Sequence, residues 1–358
     1  MPSSYSEEDI TFLLRDLSHI EMEHSTAERE RRIQQGTNYA EMLPVEVQPN
    51  ERYMELFYQT LAQYAPDIAA AVGVVAEKIL AKKPLEQLVL VSLARAGTPI
   101  GILLKRYYAY KYRISVPHYS ISIIRERGID ETALLYIVNH HPQSHIQFID
   151  GWTGKGAITK ELTAGCQTFN ETYNKAIDAT LAVLADPAYC ADIYGTREDF
   201  FIPSACLNST VSGLVSRTVL NKLYLKEGDF HGAKYYGELA QADVSVHYIE
   251  TVVAQFDMVE KAIKEELQVP IQPTNWQGMQ AVEKIQQRFT IKNINHIKPG
   301  IGETTRVLLR RVPWKILVNP AFEQHLEHIY LLAQERGVPV EPYPDMSYAC
   351  CGLIKEMK

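Results

Sequence analysis

The sequence contains few cysteines and no long apolar segment, and these shortages exclude several classes of protein. Only five of its 358 residues are cysteine, and none forms a CxxC pair, which argues against a disulfide-stabilised secreted scaffold. No uncharged apolar run approaches the roughly 18 residues that a membrane span needs. The N-terminus carries acids at positions 7–9 and lacks the basic and apolar regions of a signal peptide. We therefore expect a cytoplasmic protein without a membrane partner.

Basic residues are in the minority, and the two signs of charge are distributed unevenly. The 36 Lys and Arg residues face 43 Asp and Glu residues, giving a net charge of −7, so the chain is not expected to coat nucleic acid indiscriminately. The segment from Lys292 onward nevertheless carries nine basic and seven acidic residues, a local charge of +2. This asymmetry and a proline-rich break after residue 268 indicate two modules. The expected division is an N-terminal extension (1–50), a first domain (51–268), a linker and helix (269–291) and a second domain (292–358).

Short apolar segments alternate with helical patterns through the first domain. Strand-like runs cover 88–92, 115–123, 145–149 and 180–184, and helical patterns lie between them. This alternation predicts βαβ units with right-handed crossovers. The predicted fold class is α/β, with a parallel sheet carrying helices on both faces and a small α/β domain at the C-terminus.

The most informative segment is His145–Thr159, which reads HIQFIDGWTGKGAIT. An apolar strand ends in Asp150, a Gly/Thr loop follows, and a helix begins near Ala157. Such a loop delivers backbone amides to a phosphate at the carboxyl end of a strand. Asp150 is placed to accept hydrogen bonds from sugar hydroxyls or to hold a metal. The predicted phosphate-binding residues are Gly151, Thr153, Gly154, Lys155, Gly156 and Ala157.

Other phosphate loops fit these residues less well. A Walker loop requires GxxxxGK followed by Ser or Thr, whereas Lys155 is followed by Gly156. A Rossmann GxGxxG loop would open the first βα unit, and this loop comes later in the chain. An ordinary βα turn that attracts Gly and Thr remains the plain structural alternative.

The loop resembles the signature of type I phosphoribosyltransferases, in which apolar residues, an acidic pair and a Thr-Gly loop follow one another. Asp150 fits the first acidic position, but Gly151 stands where a second acid is usual, and the loop is about two residues shorter than the common form. The resemblance implies binding of phosphoribosyl pyrophosphate with Mg²⁺ and transfer of the phosphoribosyl group to an unidentified base-like acceptor. Dimers are common in that family, so the analogy suggests a homodimer.

Two further segments occupy the positions that this resemblance gives to the pyrophosphate site. Leu88–Gly101 contains a buried strand followed by a turn, and the resemblance places Arg95 and a pyrophosphate loop there, formed by Ala96, Gly97 and Thr98. Ser120–Asp130 corresponds to a mobile basic flap, in which Arg125 and Arg127 would join Asp150 and Arg95 as catalytic residues. An ordinary βα turn and a solvated loop of alternating charge are the alternatives for these two segments.

The C-terminal segment resembles the L7Ae/Pelota RNA-binding fold. Its run KPGIGETTR (298–306) is followed by WKILV and by a helix ending in ERGVPVEPY. In that family a Gly-x-Asn-Glu turn at a helix N-terminus meets RNA, and Gly302 replaces the usual Asn here. The resemblance implies RNA contacts from Gly300, Gly302, Glu303, Arg306 and Arg310. A small α/β domain with a solvated basic helix is the alternative.

The order of the two domains resembles a bacterial family from stress-response and tellurium-resistance gene clusters, whose members are labelled StiP-type cysteine proteases. A cysteine nucleophile needs a partner base and a lowered pKa, and no papain-like or caspase-like signature surrounds any cysteine. We therefore expect the cysteines to be buried. Three functions remain open, namely phosphoribosyl transfer, a non-catalytic sensor of phosphoribosyl pyrophosphate or a nucleotide that also binds RNA, and proteolysis.

Overall fold

The computed structural model describes residues 1–25, 28–29, 31–32 and 35–355. The strands in these ranges are β1 (Thr11–Phe12), β2 (Arg15–Asp16), β3 (Glu23–His24), β4 (Leu43–Pro44), β5 (Leu88–Ala94), β6 (His118–Ile124), β7 (Gly128–Ile129), β8 (His145–Trp152), β9 (Leu181–Ala185), β10 (Ile193–Thr196), β11 (Gly232–Ala233), β12 (Ile297–Pro299), β13 (Pro313–Val318), β14 (Val340–Pro342) and β15 (Cys350–Ile354). The longer helices are α1 (Glu51–Leu80), α2 (Gly97–Tyr112), α3 (Glu131–His140), α4 (Ala157–Tyr173), α5 (Ser245–Val253), α6 (Glu260–Glu266), α7 (Gln277–Arg288), α8 (Ile301–Arg310) and α9 (Glu327–Glu335).

The first domain is built on a parallel sheet. Its strands lie in the order β1-β6-β5-β8-β9-β10, and every neighbouring pair along this path is parallel, while β7 adds antiparallel to β6. The predicted α/β class with a parallel sheet is confirmed. Among the strands from β5 onward, β5 comes first in the chain and lies between β6 and β8, so the winding reverses between β5 and β8. In open α/β sheets ligands bind at such a reversal, at the carboxyl ends of the strands.

The alternation of side chains along the central strands separates two apolar cores. In β5, Leu88 and Leu90 join the core that contains α1 and α2, whereas Val89, Val91 and Leu93 join the core that contains α3 and α4. A parallel strand buried on both faces reads as a continuous apolar run, which explains the sequence LVLVSLA. None of the helices in the described ranges combines the length and the apolar character needed to cross a membrane.

Several residues of the predicted N-terminal extension contact the first domain. Strand β1 pairs with the edge strand β6, and β2 pairs with β11. Asp9, which is buried, forms an ion pair with Arg106 on α2 at 2.6 Å. Strand β1 therefore forms one edge of the parallel sheet, and Asp9 ties the preceding residues to α2.

The second domain is the small α/β unit that the sequence predicts. Its sheet has the order β12-β15-β13-β14, and α8 packs on β15 and α9. Helix α7, which falls in the segment predicted as linker and helix, packs Val282 and Ile285 into this domain's core. Ile301, Leu308 and Ile329 belong to the same apolar cluster as α1 of the first domain. The two domains therefore share a core.

Candidate functional site

A cleft of about 500 Å³ opens at the reversal between β5 and β8, where the second domain covers the sheet edge. The first domain contributes the segments that follow β5, β6 and β8, and the second domain contributes β12, α8 and the residue after it. The charged lining residues are Arg95, Arg125, Asp150, Lys155, Arg217, Lys298, Glu303, Arg306 and Arg311. The two constellations that the sequence places in separate domains thus meet in one cleft.

The charge of this cleft is strongly positive. Seven of its lining residues are Lys or Arg and only two are acids, a difference of five charges in a chain whose net charge is −7. Concave surfaces lined with one sign of charge concentrate ligands of the opposite sign. The cleft is therefore suited to an anion, and to one with more than one charge.

Asp150 lies at the end of β8 and is half-buried in the cleft wall. Its Oδ1 accepts a hydrogen bond from the backbone amide of Gly151 at 2.8 Å. Burial raises the pKa of Asp150 to about 7, although the Gly151 amide and the charge of Arg306 act in the opposite direction. Near neutral pH this carboxyl group therefore exchanges between its protonated and ionised forms.

The loop after β8 divides into a structural half and an open half. The Thr153 amide donates to the Ala185 carbonyl at 3.0 Å, and its hydroxyl donates to the buried Asp186 carboxylate. The amides of Gly154, Lys155 and Gly156 have no hydrogen-bond partner among the described residues. Gly154 and Lys155 also line the cleft. The open amides are therefore available to an anion, whereas Gly151 and Thr153 hold the loop in place.

The second domain clamps this loop from the other side. Tyr348 donates its hydroxyl to the Gly154 carbonyl at 2.7 Å, and Lys155 Nζ donates to the Ile294 carbonyl at 2.8 Å. Gly156 has φ +74°, and a Cβ there would lie 2.3 Å from the Trp276 ring, so only glycine fits. Ala157 begins α4 directly after this glycine. These contacts hold the loop against the second domain.

The surroundings of Lys155 lower the pKa of its ammonium group. Burial, followed by the charges of Lys298 and Arg125, lowers the pKa of Lys155 to about 8. Because neighbouring cations contribute to this shift, a bound anion would favour the protonated form of Lys155.

The turn after β5 brings Arg95 and Ala96 to the cleft. The Ala94–Arg95 peptide is cis, and Arg95 donates to the Val215 carbonyl at 3.1 Å. Gly97 is buried, and a Cβ there would lie 2.3 Å from the Ile149 carbonyl oxygen. The Thr98 hydroxyl is paired with that of Ser120 at 2.8 Å. Arg95 and Ala96 therefore face the ligand space, while Gly97 and Thr98 pack α2 against the strands.

The basic turn between β6 and β7 separates the two arginines predicted in the flap. Arg125 lines the cleft, whereas Arg127 lies 3.7 Å from Glu41 and is not among the lining residues. The amides of Glu126 and Gly128 each donate to the Glu161 carboxylate on α4 at 2.9 Å. The turn is therefore anchored to α4 by two hydrogen bonds.

The glycine turn at α8 faces the first domain. Asp199 accepts hydrogen bonds from the Ile301 amide at 3.1 Å and the Ala349 amide at 2.9 Å, so a carboxylate already occupies the N-terminus of α8. A Cβ at Gly302 would lie 2.9 Å from Ala205. Gly300 lies against the same carboxylate, because a Cβ at Gly300 would lie 3.4 Å from Asp199 Oδ1. Burial raises the pKa of Asp199 to about 6, against the effect of these amides.

Glu303 and Arg306 on α8 form a pair in the cleft wall. Arg306 donates to Glu303 Oε1 at 2.8 Å and to the Ala205 carbonyl at 2.7 Å, and its guanidinium lies 5.5 Å from the Trp152 ring centre. Burial would raise the pKa of Glu303, but the nearby cations, Arg306 first, hold it below its ordinary value. Glu303 is therefore ionised. The side chain of Arg310 lies outside the described part of the structure.

The predicted site residues leave out three cations of the cleft, namely Arg217, Lys298 and Arg311. Lys298 opens the run 298–306 and Arg311 follows the predicted Arg310, so their basic character was the available signal. Arg217 comes from an irregular segment and donates to the carbonyls of Tyr39 and Met42 at 2.6 and 2.7 Å. Burial and neighbouring arginines lower the pKa of Arg217 to about 10. No local pattern marks this residue.

The cysteines are not part of the cleft lining. All five are buried, and none is among the cleft-lining residues. Burial raises the pKa of Cys166, Cys190 and Cys351 to about 12, and that of Cys350 further. A raised pKa keeps a thiol protonated and weakly nucleophilic at neutral pH.

Comparison with known proteins identifies the family. Residues 3–253 match the family model described as tellurite-like stress resistance cysteine protease StiP, and residues 276–356 match the PELOTA RNA binding domain. A curated relative from Acinetobacter baylyi, named Cysteine protease StiP, is 37% identical over 368 residues that cover 99% of this chain and 94% of the relative. The chain belongs to the StiP family and carries a Pelota domain at its C-terminus, as the resemblance implied.

Two solved structures show weak similarity. The HGPRT-ase of Leishmania tarentolae in complex with GMP is 17% identical, with 36% of this chain and 75% of that chain covered and a TM-score of 0.26. A NifS-like protein from Rickettsia africae is 11% identical, with 96% and 93% covered and a TM-score of 0.24. Similarity at this level carries no argument about function.

Proposed function

We propose that the interdomain cleft binds phosphoribosyl pyrophosphate with Mg²⁺ and that the chain transfers the phosphoribosyl group to a base-like acceptor. The observation that carries this proposal is the meeting of seven basic side chains, open loop amides and Asp150 at the reversal of a parallel sheet. A phosphoribosyl pyrophosphate molecule has anionic groups at both ends of a sugar. The cleft offers cations and amides on two loops with a carboxyl group between them.

In this proposal each loop has one task. The amides of Gly154 to Gly156 and Lys155 hold the 5′-phosphate, and Asp150 accepts hydrogen bonds from the ribose hydroxyls. Arg95 and Arg125 hold the pyrophosphate. The bond from C1 of the ribose to the pyrophosphate oxygen breaks, C1 bonds to the acceptor, and the acceptor's displaced proton leaves to solvent. Positioning and charge stabilisation supply most of the acceleration in such a reaction.

The residues present fit Mg²⁺ only together with the ligand. Within the described residues there is no group of three or more His, Cys, Asp or Glu side chains that could hold a metal ion. Mg²⁺ is commonly held by one or two carboxylates and by substrate phosphates, and Asp150 supplies one carboxylate here. Bound in this way, Mg²⁺ would neutralise charge on the departing pyrophosphate.

Two further candidate functions come from the descriptions of relatives. RNA binding is favoured by the description of the Pelota domain, although Glu303 and Arg306 face the first domain in this chain. Proteolysis is favoured by the name of the curated relative. Against proteolysis, all five thiols are buried and at least four have a raised pKa. Binding without transfer would make the chain a sensor of phosphoribosyl pyrophosphate or a nucleotide.

The proposal is tested by calorimetric titration with phosphoribosyl pyrophosphate and Mg²⁺, followed by pyrophosphate release across a set of base-like acceptors. Arg125→Met should weaken binding about 10-fold or more, because a charge-assisted hydrogen bond is worth ~1.5–3 kcal/mol. The control is Lys222→Met, whose exposed side chain lies outside the cleft. Absence of binding to the unmodified chain would refute the proposal. Binding without release would favour the sensor.

A further inference from the structure

The wall that the second domain gives to the cleft is part of the folded core. Ile301 and Leu308 of α8 pack in one apolar cluster with Phe201 and Ala205 of the first domain. The Tyr53 hydroxyl on α1 also donates to the Leu309 carbonyl at 2.8 Å. Exposing the inner face of α8 would require these buried groups to be separated, at the cost of the apolar burial. The inner face of α8 is therefore buried against the first domain.

The turn that the sequence assigns to RNA is closed to a phosphate in this arrangement. The Asp199 carboxylate already accepts the hydrogen bond from the Ile301 amide at the start of α8. A second anion at this amide would be repelled by the negative charge of Asp199. Gly302 packs on Ala205, and Arg306 donates to the Ala205 carbonyl. A folded RNA could not reach these groups without displacing the first domain.

Lys298 is a half-buried cation of this wall, and its charge has no partner among the described residues. It lies on β12, half-buried, and lines the cleft. Among the described residues its Nζ makes neither a hydrogen bond nor an ion pair within 4 Å, whereas Lys155 donates to a carbonyl and Arg306 to a carboxylate. Partial burial of a cation without a partner is unfavourable, and an anionic ligand would offset it.

The surroundings of Lys298 make an anion the fitting partner. Burial lowers the pKa of Lys298, Glu303 opposes this effect, and the charges of Arg125, Arg311 and Arg306 add to it. Lys298 in turn lowers the pKa of Lys155, so the two ammonium groups are electrostatic neighbours. Lys155 belongs to the loop with open amides. An anion on that loop would lie in the cleft that both Lys155 and Lys298 line.

We propose that Lys298 of the second domain binds the phosphate group held by the loop after β8, so that the small-molecule ligand bridges both domains. The inference rests on the proposed function for the identity of the ligand, but the bound group is a phosphate in either case. The Pelota domain of this chain then recognises the cleft's ligand through Lys298. Arg306 is a positioning residue that fixes Glu303 and the wall.

The test compares Lys298→Met, Lys298→Arg and the control Lys284→Met, which is exposed on α7 of the same domain. Calorimetry uses ribose 5-phosphate and phosphoribosyl pyrophosphate, and thermal unfolding verifies that each variant folds. Lys298→Met should weaken both ligands ~10- to 100-fold, the effect of removing one charge-assisted hydrogen bond. Lys298→Arg should retain most of the affinity, and Lys284→Met all of it.

The possible failures are distinguishable. If the unmodified chain binds phosphoribosyl pyrophosphate and Lys298→Met binds it equally well, the inference is overturned while the proposed function stands. If ribose 5-phosphate binds through Lys298 but the pyrophosphate compound does not bind, the proposed function fails and the phosphate site remains. If an RNA hairpin loses affinity in Lys298→Met while both sugar phosphates bind unchanged, Lys298 serves RNA and the inference is wrong.

Discussion

Replacing Asp150 with Asn should stabilise the folded chain at neutral and alkaline pH while removing its proposed binding role. The pKa of Asp150 is raised from 3.8 to about 7, chiefly by burial, so folding favours its protonated form. Between pH 4 and 7 the native state therefore binds more protons than the unfolded state, and stability falls as the pH rises. A pKa shift of roughly three units at ~1.4 kcal/mol each gives an upper limit of about 4 kcal/mol for the loss of folding stability. Asp150 is only half-buried, so solvent screens its charge and we expect a loss of ~2 kcal/mol.

The assay is urea unfolding of the unmodified chain and Asp150→Asn at pH 4, 6, 8 and 9. The stability difference should be small at pH 4, grow in favour of the variant up to about pH 7 and stay constant above it. The Asn side-chain oxygen can still accept the Gly151 amide, so the loop geometry is preserved. Asp192→Asn, at an exposed position, is the control. A difference that does not depend on pH would refute the burial of this charge.

Two further predictions concern the domain interface and the thiols. Asp199→Ala should cost ~1–3 kcal/mol, because the buried amides of Ile301 and Ala349 lose their acceptor. Hydrogen exchange at these two amides should accelerate, and unchanged exchange would contradict the role of Asp199 at the interface. Iodoacetamide should label all five cysteines of the native chain slowly at neutral pH, since all are buried. One fast-reacting cysteine would instead support proteolysis.

The local parts of the fold could be predicted because their signals are local. The apolar run at β5 and the strand–acid–glycine pattern around Asp150 place a strand and its loop without any distant information. Two-residue strands such as β1 leave no periodic pattern, so Thr11–Phe12 could not be recognised as part of the sheet. Their place depends on pairing with β6, which lies about a hundred residues later.

The residues of the cleft could be predicted only separately for each domain. Asp150 and Arg95 were found from the first domain, and Glu303 and Arg306 from the second, but their meeting depends on apolar packing between the domains. The pattern around Glu303 predicts an RNA-binding turn, and the structure shows in addition that Glu303 lines the cleft. Arg217 was missed because its position depends on the carbonyls of the distant segment 39–42.

A crystal structure of the chain with phosphoribosyl pyrophosphate and Mg²⁺ tests the central claim most directly. We expect the 5′-phosphate within hydrogen-bond distance of the Gly154 and Lys155 amides, the ribose hydroxyls at Asp150 and the pyrophosphate at Arg95. Ligand bound away from these residues, or a cleft without ligand at saturating concentration, would contradict the account.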